Sequence, residues 1–152
     1  MKVLTIKEPF ATLIKNKVKY IETRNWKTNY RGELYIQASV AKLSKDIKER
    51  KELMNLFDEN ELNYGKIICK CNLIDCIYMT EEFINKEKEM NYNNFISGHY
   101  KVGRYAWVLD NVEVIKPIPV KGQLGIWNYN KEDLWEKLKK KEFINILREI
   151  II

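Results

Sequence analysis

Strict two-residue alternation is the feature that most limits what this chain can become. From Glu33 to Ser39, Leu34, Ile36 and Ala38 alternate with Tyr35, Gln37 and Ser39, so each set occupies its own face of a strand. Arg104–Val114 repeats the pattern, with Tyr105, Trp107 and Leu109 on a common face. Shorter extended stretches lie at Val3–Ile6 and Tyr20–Trp26, and Lys66–Met79 reads as a long or bent strand through the core. Ile115–Pro119 continues extended towards a sheet edge, where proline is tolerated.

Helices are inserted among these strands without a regular rhythm. Pro9 fits the first turn of a helix through about Asn16, with Phe10, Leu13 and Ile14 on its apolar side. Ser44 caps a helix predicted to reach Phe57, with Ile47, Leu53, Leu56 and Phe57 inward, and Thr80-Glu81-Glu82 opens a short one. Asn91–Gly103 reads as an irregular surface loop carrying an incidental His99, or else as a lid whose His99 and Tyr100 touch a ligand. Asn130 caps a final amphipathic helix whose inner stripe includes Leu134, Trp135, Leu138 and Ile146, ahead of a frayed or partner-covered Ile150-Ile151-Ile152 end. This irregular order excludes a doubly wound parallel sheet and points to an α+β fold, a small antiparallel barrel with peripheral helices. At 152 residues the chain reads as one domain, 1–152, with 131–152 a helix appended to the core.

The net charge of +6 resides in one place. Residues 1–31 carry eight basic side chains against Glu8 and Glu22, while beyond Arg31 the two signs balance at 19 each. A fold that keeps that segment together presents a one-sided positive field, suited to a polyanion, although a lysine-rich surface also serves solubility alone. No apolar run approaches the roughly 20 residues that cross a bilayer, so no membrane partner is expected. No export signal opens the chain, which sets the expected location as cytoplasmic and Cys69, Cys71 and Cys76 as reduced thiols.

The common catalytic constellations are missing. A single histidine forms no ligand cluster, and the cysteines lack paired two-residue spacing, so no metal site is expected. No glycine-rich phosphate loop and no Gly-x-Ser-x-Gly turn occurs, and no cofactor is required.

The informative stretch is Lys17 to Gly32, KVKYIETRNWKTNYRG. In an extended chain Glu22, Arg24 and Trp26 share a face. Lining a cleft, Trp26 stacks on a base, Arg24 grips an anionic or acceptor group, Glu22 accepts from an exocyclic amine and Lys19 reaches over the rim. On a solvated face, Glu22 and Arg24 simply pair while Trp26 covers the edge of the core.

Lys17-Val18-Lys19-Tyr20-Ile21-Glu22-Thr23-Arg24 resembles the Gly-x-Lys-x-x-Glu-x-Arg signature of ASCH domains, a branch of the PUA-like superfamily. Thr5-Ile6-Lys7-Glu8-Pro9-Phe10-Ala11 is similar to the family's opening block, and Asn25-Trp26, Tyr30-Arg31-Gly32 and Leu34-Tyr35-Ile36 to its second. Gly103 to Leu109 and Gly122-Gln123-Leu124-Gly125-Ile126-Trp127 resemble its closing strand and Gly-x-x-Gly-x-Trp end, so the likeness spans about residues 3–128.

The resemblance implies a PUA-like mixed or antiparallel β-barrel of five to six strands, with a basic cleft between barrel and first helix that binds RNA or a modified nucleoside. It implies that Lys19, Glu22 and Arg24 line the cleft, with Trp26, Arg31 and Trp107 near it. Two departures stand out: Lys17 replaces the motif's first glycine, and Gln37 stands where relatives often have histidine. Some short relatives resemble amidohydrolases of N4-acetylated cytidine that use Lys, Thr and Glu. Lys19 matches the lysine, but Glu22 stands at the threonine position, and Thr23, one residue along, is expected on the opposite strand face. As an enzyme the chain would rely on Lys19 and Glu22 as an acid/base pair. A third reading, a protein-interaction module, expects an exposed apolar patch.

Overall fold

The computed structural model describes residues 1–151, with side chains at all of these but Lys131, Lys137 and Ile151. Six strands form one mixed, curled sheet: β1 (Lys2–Ile6), β2 (Ile21–Arg24), β3 (Gly32–Ala38), β4 (Lys66–Tyr78), β5 (Tyr105–Pro119) and β6 (Ile126–Asn128). Their order is β2-β5-β4-β3-β1-β6. Only β1 and β3 run parallel, and the other pairings are antiparallel. The expected α+β, PUA-like architecture is present as a half-barrel.

Alternation sorts the side chains as the sequence dictates. Leu34, Ile36 and Ala38 of β3 join Leu4, Ile6, Cys71, Trp107 and Leu109 in the main core, beneath helix α1 (Phe10–Lys15) and its Ala11 and Ile14. On the other face, Val3, Ile67, Trp127 and Tyr129 make a second cluster with Tyr35 and Leu134. The long β4–β5 ribbon shifts register at three places. Such irregularities bend a ribbon and raise its twist, which lets the sheet curl.

Helix α1 closes with a Schellman motif: Val18 N–H donates to the Leu13 carbonyl and Lys17 N–H to that of Ile14, each at 3.0 Å. Lys17 therefore takes the left-handed φ of +63° that its position demands, a conformation that suits glycine. Where the signature has glycine, this chain holds lysine in a backbone conformation that suits glycine.

Three sequence expectations need correction. The helix predicted from Ser44 to Phe57 is split into α2 (Lys45–Glu49) and α3 (Lys51–Met54) by a non-helical ψ of 88° at Arg50, whose guanidinium reaches the carbonyl of Ile96. The expected loop 91–103 contains a short helix, α5 (Tyr92–Ile96), which follows α4 (Glu81–Met90). Finally, α6 (Lys131–Ile151) does not bury the predicted stripe: Leu134 packs on the second cluster, whereas Trp135 is 64% exposed and Ile146 is 49% exposed. Leu134, Leu138 and Ile144 of α6 share a concavity with Tyr35 and Ile115–Pro119 of the sheet, and the other described apolar residues of the helix are turned elsewhere. Ile152, the end of the predicted apolar tail, lies outside the described residues.

Candidate functional site

β2 is an edge strand, hydrogen-bonded to β5 alone, with Glu22 opposite Trp107 and Arg24 opposite Tyr105. Its first residues are held at the backbone by Asn94, whose Oδ1 accepts the N–H groups of Tyr20 and Ile21 at 2.9 and 3.2 Å. This fixes Lys19, immediately before the strand, inside the protein: it is 1% exposed. Its ammonium donates to the Ser97 carbonyl at 2.7 Å and lies 3.5 Å from Glu22 Oε1. The other carboxylate oxygen of Glu22 accepts from Arg24 at 3.0 Å, and Arg24 also donates to the Thr5 carbonyl. One buried carboxylate thus serves two cations. Burial pulls the Lys19 ammonium below its ordinary pKa, the Glu22 charge works against that shift, and Arg24 adds to it.

These groups form one wall of a cavity of about 670 Å³, a size that suits a nucleotide-scale ligand. Its lining brings together Thr5, Lys7 and Phe10 from β1 and the start of α1, Lys19 to Trp26 from β2 and its flanks, and Arg50 from the α2–α3 junction. Ser97, Gly98, His99 and Arg104 close one side, and Gln123, Leu124 and Gly125 another. The described lining residues include five cations, Lys7, Lys19, Arg24, Arg50 and Arg104, and a single carboxylate, that of Glu22.

The aromatic groups divide their roles. Trp26, 39% exposed, stands at the cavity, its ring edge-on to Trp107 with centroids 4.6 Å apart. Trp107 is fully buried beneath, donates its indole N–H to the Trp26 carbonyl and carries the Arg24 guanidinium over its ring. Arg31 stands apart from the lining; it donates to the carbonyls of Thr28 and Tyr30 and lies 3.9 Å from Asp75. Lys19, Glu22, Arg24 and Trp26 therefore share the cavity, Trp107 supports it, and Arg31 belongs to the neighbouring turn.

The 97–99 segment is part of the wall, in contrast to the incidental-loop reading. His99 N–H donates to Thr23 Oγ1 at 3.0 Å, and Arg104 donates to the His99 carbonyl at 2.9 Å. Thr23, expected on the far strand face, consequently lines the same cavity, because this segment folds over the strand edge onto it. Gly98 is sterically required: a Cβ there would meet Tyr100 at 2.9 Å, Thr23 at 3.0 Å and the Lys19 ammonium at 3.4 Å. Burial lowers the His99 pKa, and the charges of Arg104 and Lys101 push it the same way. Tyr100 turns away from the ligand role considered for it and meets Asn94 at 3.1 Å through its hydroxyl.

Gln37 holds Thr5, a residue of the lining. Fully covered, it accepts from Thr5 Oγ1 at 2.7 Å and donates to the Val120 carbonyl at 2.8 Å, and Trp127 donates to the same threonine at 3.0 Å.

The family model described as ASCH domain matches residues 4–121. This chain belongs to the ASCH domain family. ASCH domains are PUA-like domains associated with RNA binding. The chain is also similar to human Activating signal cointegrator 1, 24% identical over an alignment 140 residues long that covers 85% of this chain and 22% of that protein. It therefore spans about a fifth of that relative's length. Among solved structures, the ASCH protein of Zymomonas mobilis superposes with a TM-score of 0.55 at 12% identity, covering 91% of this chain and 93% of that one. A tyrosine-to-phenylalanine variant of the same Zymomonas mobilis protein gives 0.52 at 14% identity, with 91% and 96% covered. At those identities the likeness is one of fold. No described helix of this ASCH domain is long and apolar enough to cross a membrane.

Proposed function

We propose that this ASCH domain binds single-stranded RNA by taking one nucleotide into the cavity beside β2. What supports the reading is the excess of five cations over one carboxylate around a nucleotide-sized cavity with Trp26 at its mouth. Phosphate oxygens suit Arg50, Arg104 and Lys7 at the rim, because an exchange of counterions for protein cations favours binding. A base stacks on Trp26 with its polar edge turned to Glu22 and Arg24. Titrating a short single-stranded RNA at several salt concentrations tests this. Binding that falls with salt and is weakened about tenfold or more by Arg24→Ala is the expected result. Binding indifferent to that substitution refutes the assignment.

A second reading, hydrolysis of an N4-acylated cytidine, draws on Lys19: burial favours its neutral amine, the form able to accept a proton, while the Glu22 charge 3.5 Å away works against that shift. Incubation with N4-acetylcytidine decides it, since cytidine released no faster than by Lys19→Ala removes the idea. The interaction-module reading draws on the exposed Trp135, Phe143 and Ile150 of α6. Elution of the full chain unchanged across concentration and by Trp135→Glu would speak against self-association there.

A further inference from the structure

Leu124 is 99% exposed, although it lines the cavity that holds the Lys19–Glu22–Arg24 cluster. Presented wholly to water, the Leu124 side chain adds nothing to the core, and what distinguishes it from other exposed apolar residues is its place at the cavity. Nor is its loop loosely attached. Val120 N–H donates to the Gly65 carbonyl at 3.1 Å, and Gln37 holds the Val120 carbonyl. Gly122 packs so tightly that a Cβ would come 2.7 Å from Gln37 Oε1 and 3.1 Å from Thr5. After Leu124, Gly125 turns the chain back at φ +65° into β6. A pinned base and a sharp exit hold the side chain out as a finger. Trp26, the other exposed apolar group of the lining, belongs to the segment after β2, on the other side of the chain's path.

We infer that Leu124 is a stacking wedge. When a nucleotide enters the cavity, Leu124 takes the place of its departed neighbour against the next base in the strand. This rests on the RNA reading and sharpens it: the ligand is a nucleotide within a strand, and a free nucleotide leaves the finger unused. Aliphatic wedges suit this purpose, since they cover the face of an unstacked base without demanding a particular sequence. The positive lining supplies the complementary attraction for the strand's phosphates.

Competition titrations with a short oligocytidylate and with cytidine 5′-monophosphate separate the outcomes. Leu124→Ser is expected to weaken the oligonucleotide by about tenfold while leaving the monophosphate within about twofold. Leu124→Phe, which restores a broad apolar face, is expected to recover the oligonucleotide. Because the side chain is in solvent, the thermal midpoint of either variant should match the parent. Equal oligonucleotide affinity in parent and Leu124→Ser overturns the wedge alone, as does an equal loss for both probes. Failure of the parent to bind either probe overturns the RNA reading and the wedge with it.

Discussion

Lys19 and Glu22 meet at 3.5 Å with less than a tenth of either side chain exposed. Desolvating an ammonium and a carboxylate costs several kcal/mol per ion, which their attraction offsets only while both are present. Replacing the acid leaves the Lys19 charge sealed inside, with the neutral Ser97 carbonyl as its hydrogen-bond acceptor. Glu22→Ala is therefore expected to lower unfolding free energy by about 3–5 kcal/mol in urea titrations. Adding Lys19→Met should recover a large part of that loss, and a strictly additive double variant would refute the coupling.

Lys17 sits in the left-handed region at the C′ position of α1. Glycine there avoids a steric cost of roughly 1–2 kcal/mol but adds freedom to the unfolded chain. Lys17→Gly should raise the unfolding free energy measured in denaturant by a net of about 1 kcal/mol, while a β-branched Lys17→Val should lower it. A neutral or reversed order would show that the positive φ is not retained in solution.

Gly98→Ala should damage the site more than the fold. The added methyl meets Tyr100, Thr23 and the Lys19 ammonium at 2.9–3.4 Å, and overpacking of this kind costs about 1–3 kcal/mol. Relief requires the 97–99 segment to lift from Thr23, which breaks its bond to the His99 N–H. Faster amide exchange confined to that segment is the expected signature.

The thiols offer a test that needs no ligand. Cys69 and Cys71 are sealed in the core and Cys76 is partly exposed. Burial pushes the Cys71 thiol up to about 12 from an ordinary 9.0, and Cys69 moves the same way. One thiol should react rapidly with a disulfide reagent in the native state, and three after denaturation. Above pH 9 the unfolded chain sheds these two protons before the folded one, so they make stability fall as pH rises. Lys19 acts in the opposite sense: its folded pKa is lowered, so between that value and 10.5 the unfolded chain holds the extra proton and stability rises. Lys19→Met should steepen the alkaline decline.

Much of this was legible in the residue order, and the gaps have physical causes. The β3 and β5 alternation placed the core faces, and contiguity alone put Lys19, Glu22, Arg24 and Trp26 together. Arg50 and Leu124 could not be read that way, because they reach the cavity through contacts far apart in sequence. The break at Arg50 shows the same limit: helical propensity runs on from Ser44, but tertiary placement interrupts it. Gln37 was legible as the histidine replacement, yet its burial depended on the loop beginning at Val120, some 80 residues away, folding across it.

That last substitution has a consequence for acid–base behaviour. A carboxamide neither gains nor loses a proton over any pH at which the protein stays folded. The finger loop that Gln37 ties down thus keeps one attachment in acid and in alkali, whereas an imidazole in the same niche would trade acceptor for donor near neutrality. Any proton-dependent change in what this domain grips must then originate elsewhere in the lining, as at Lys19 or His99, and a titration curve measured at Gln37 and its loop should be flat.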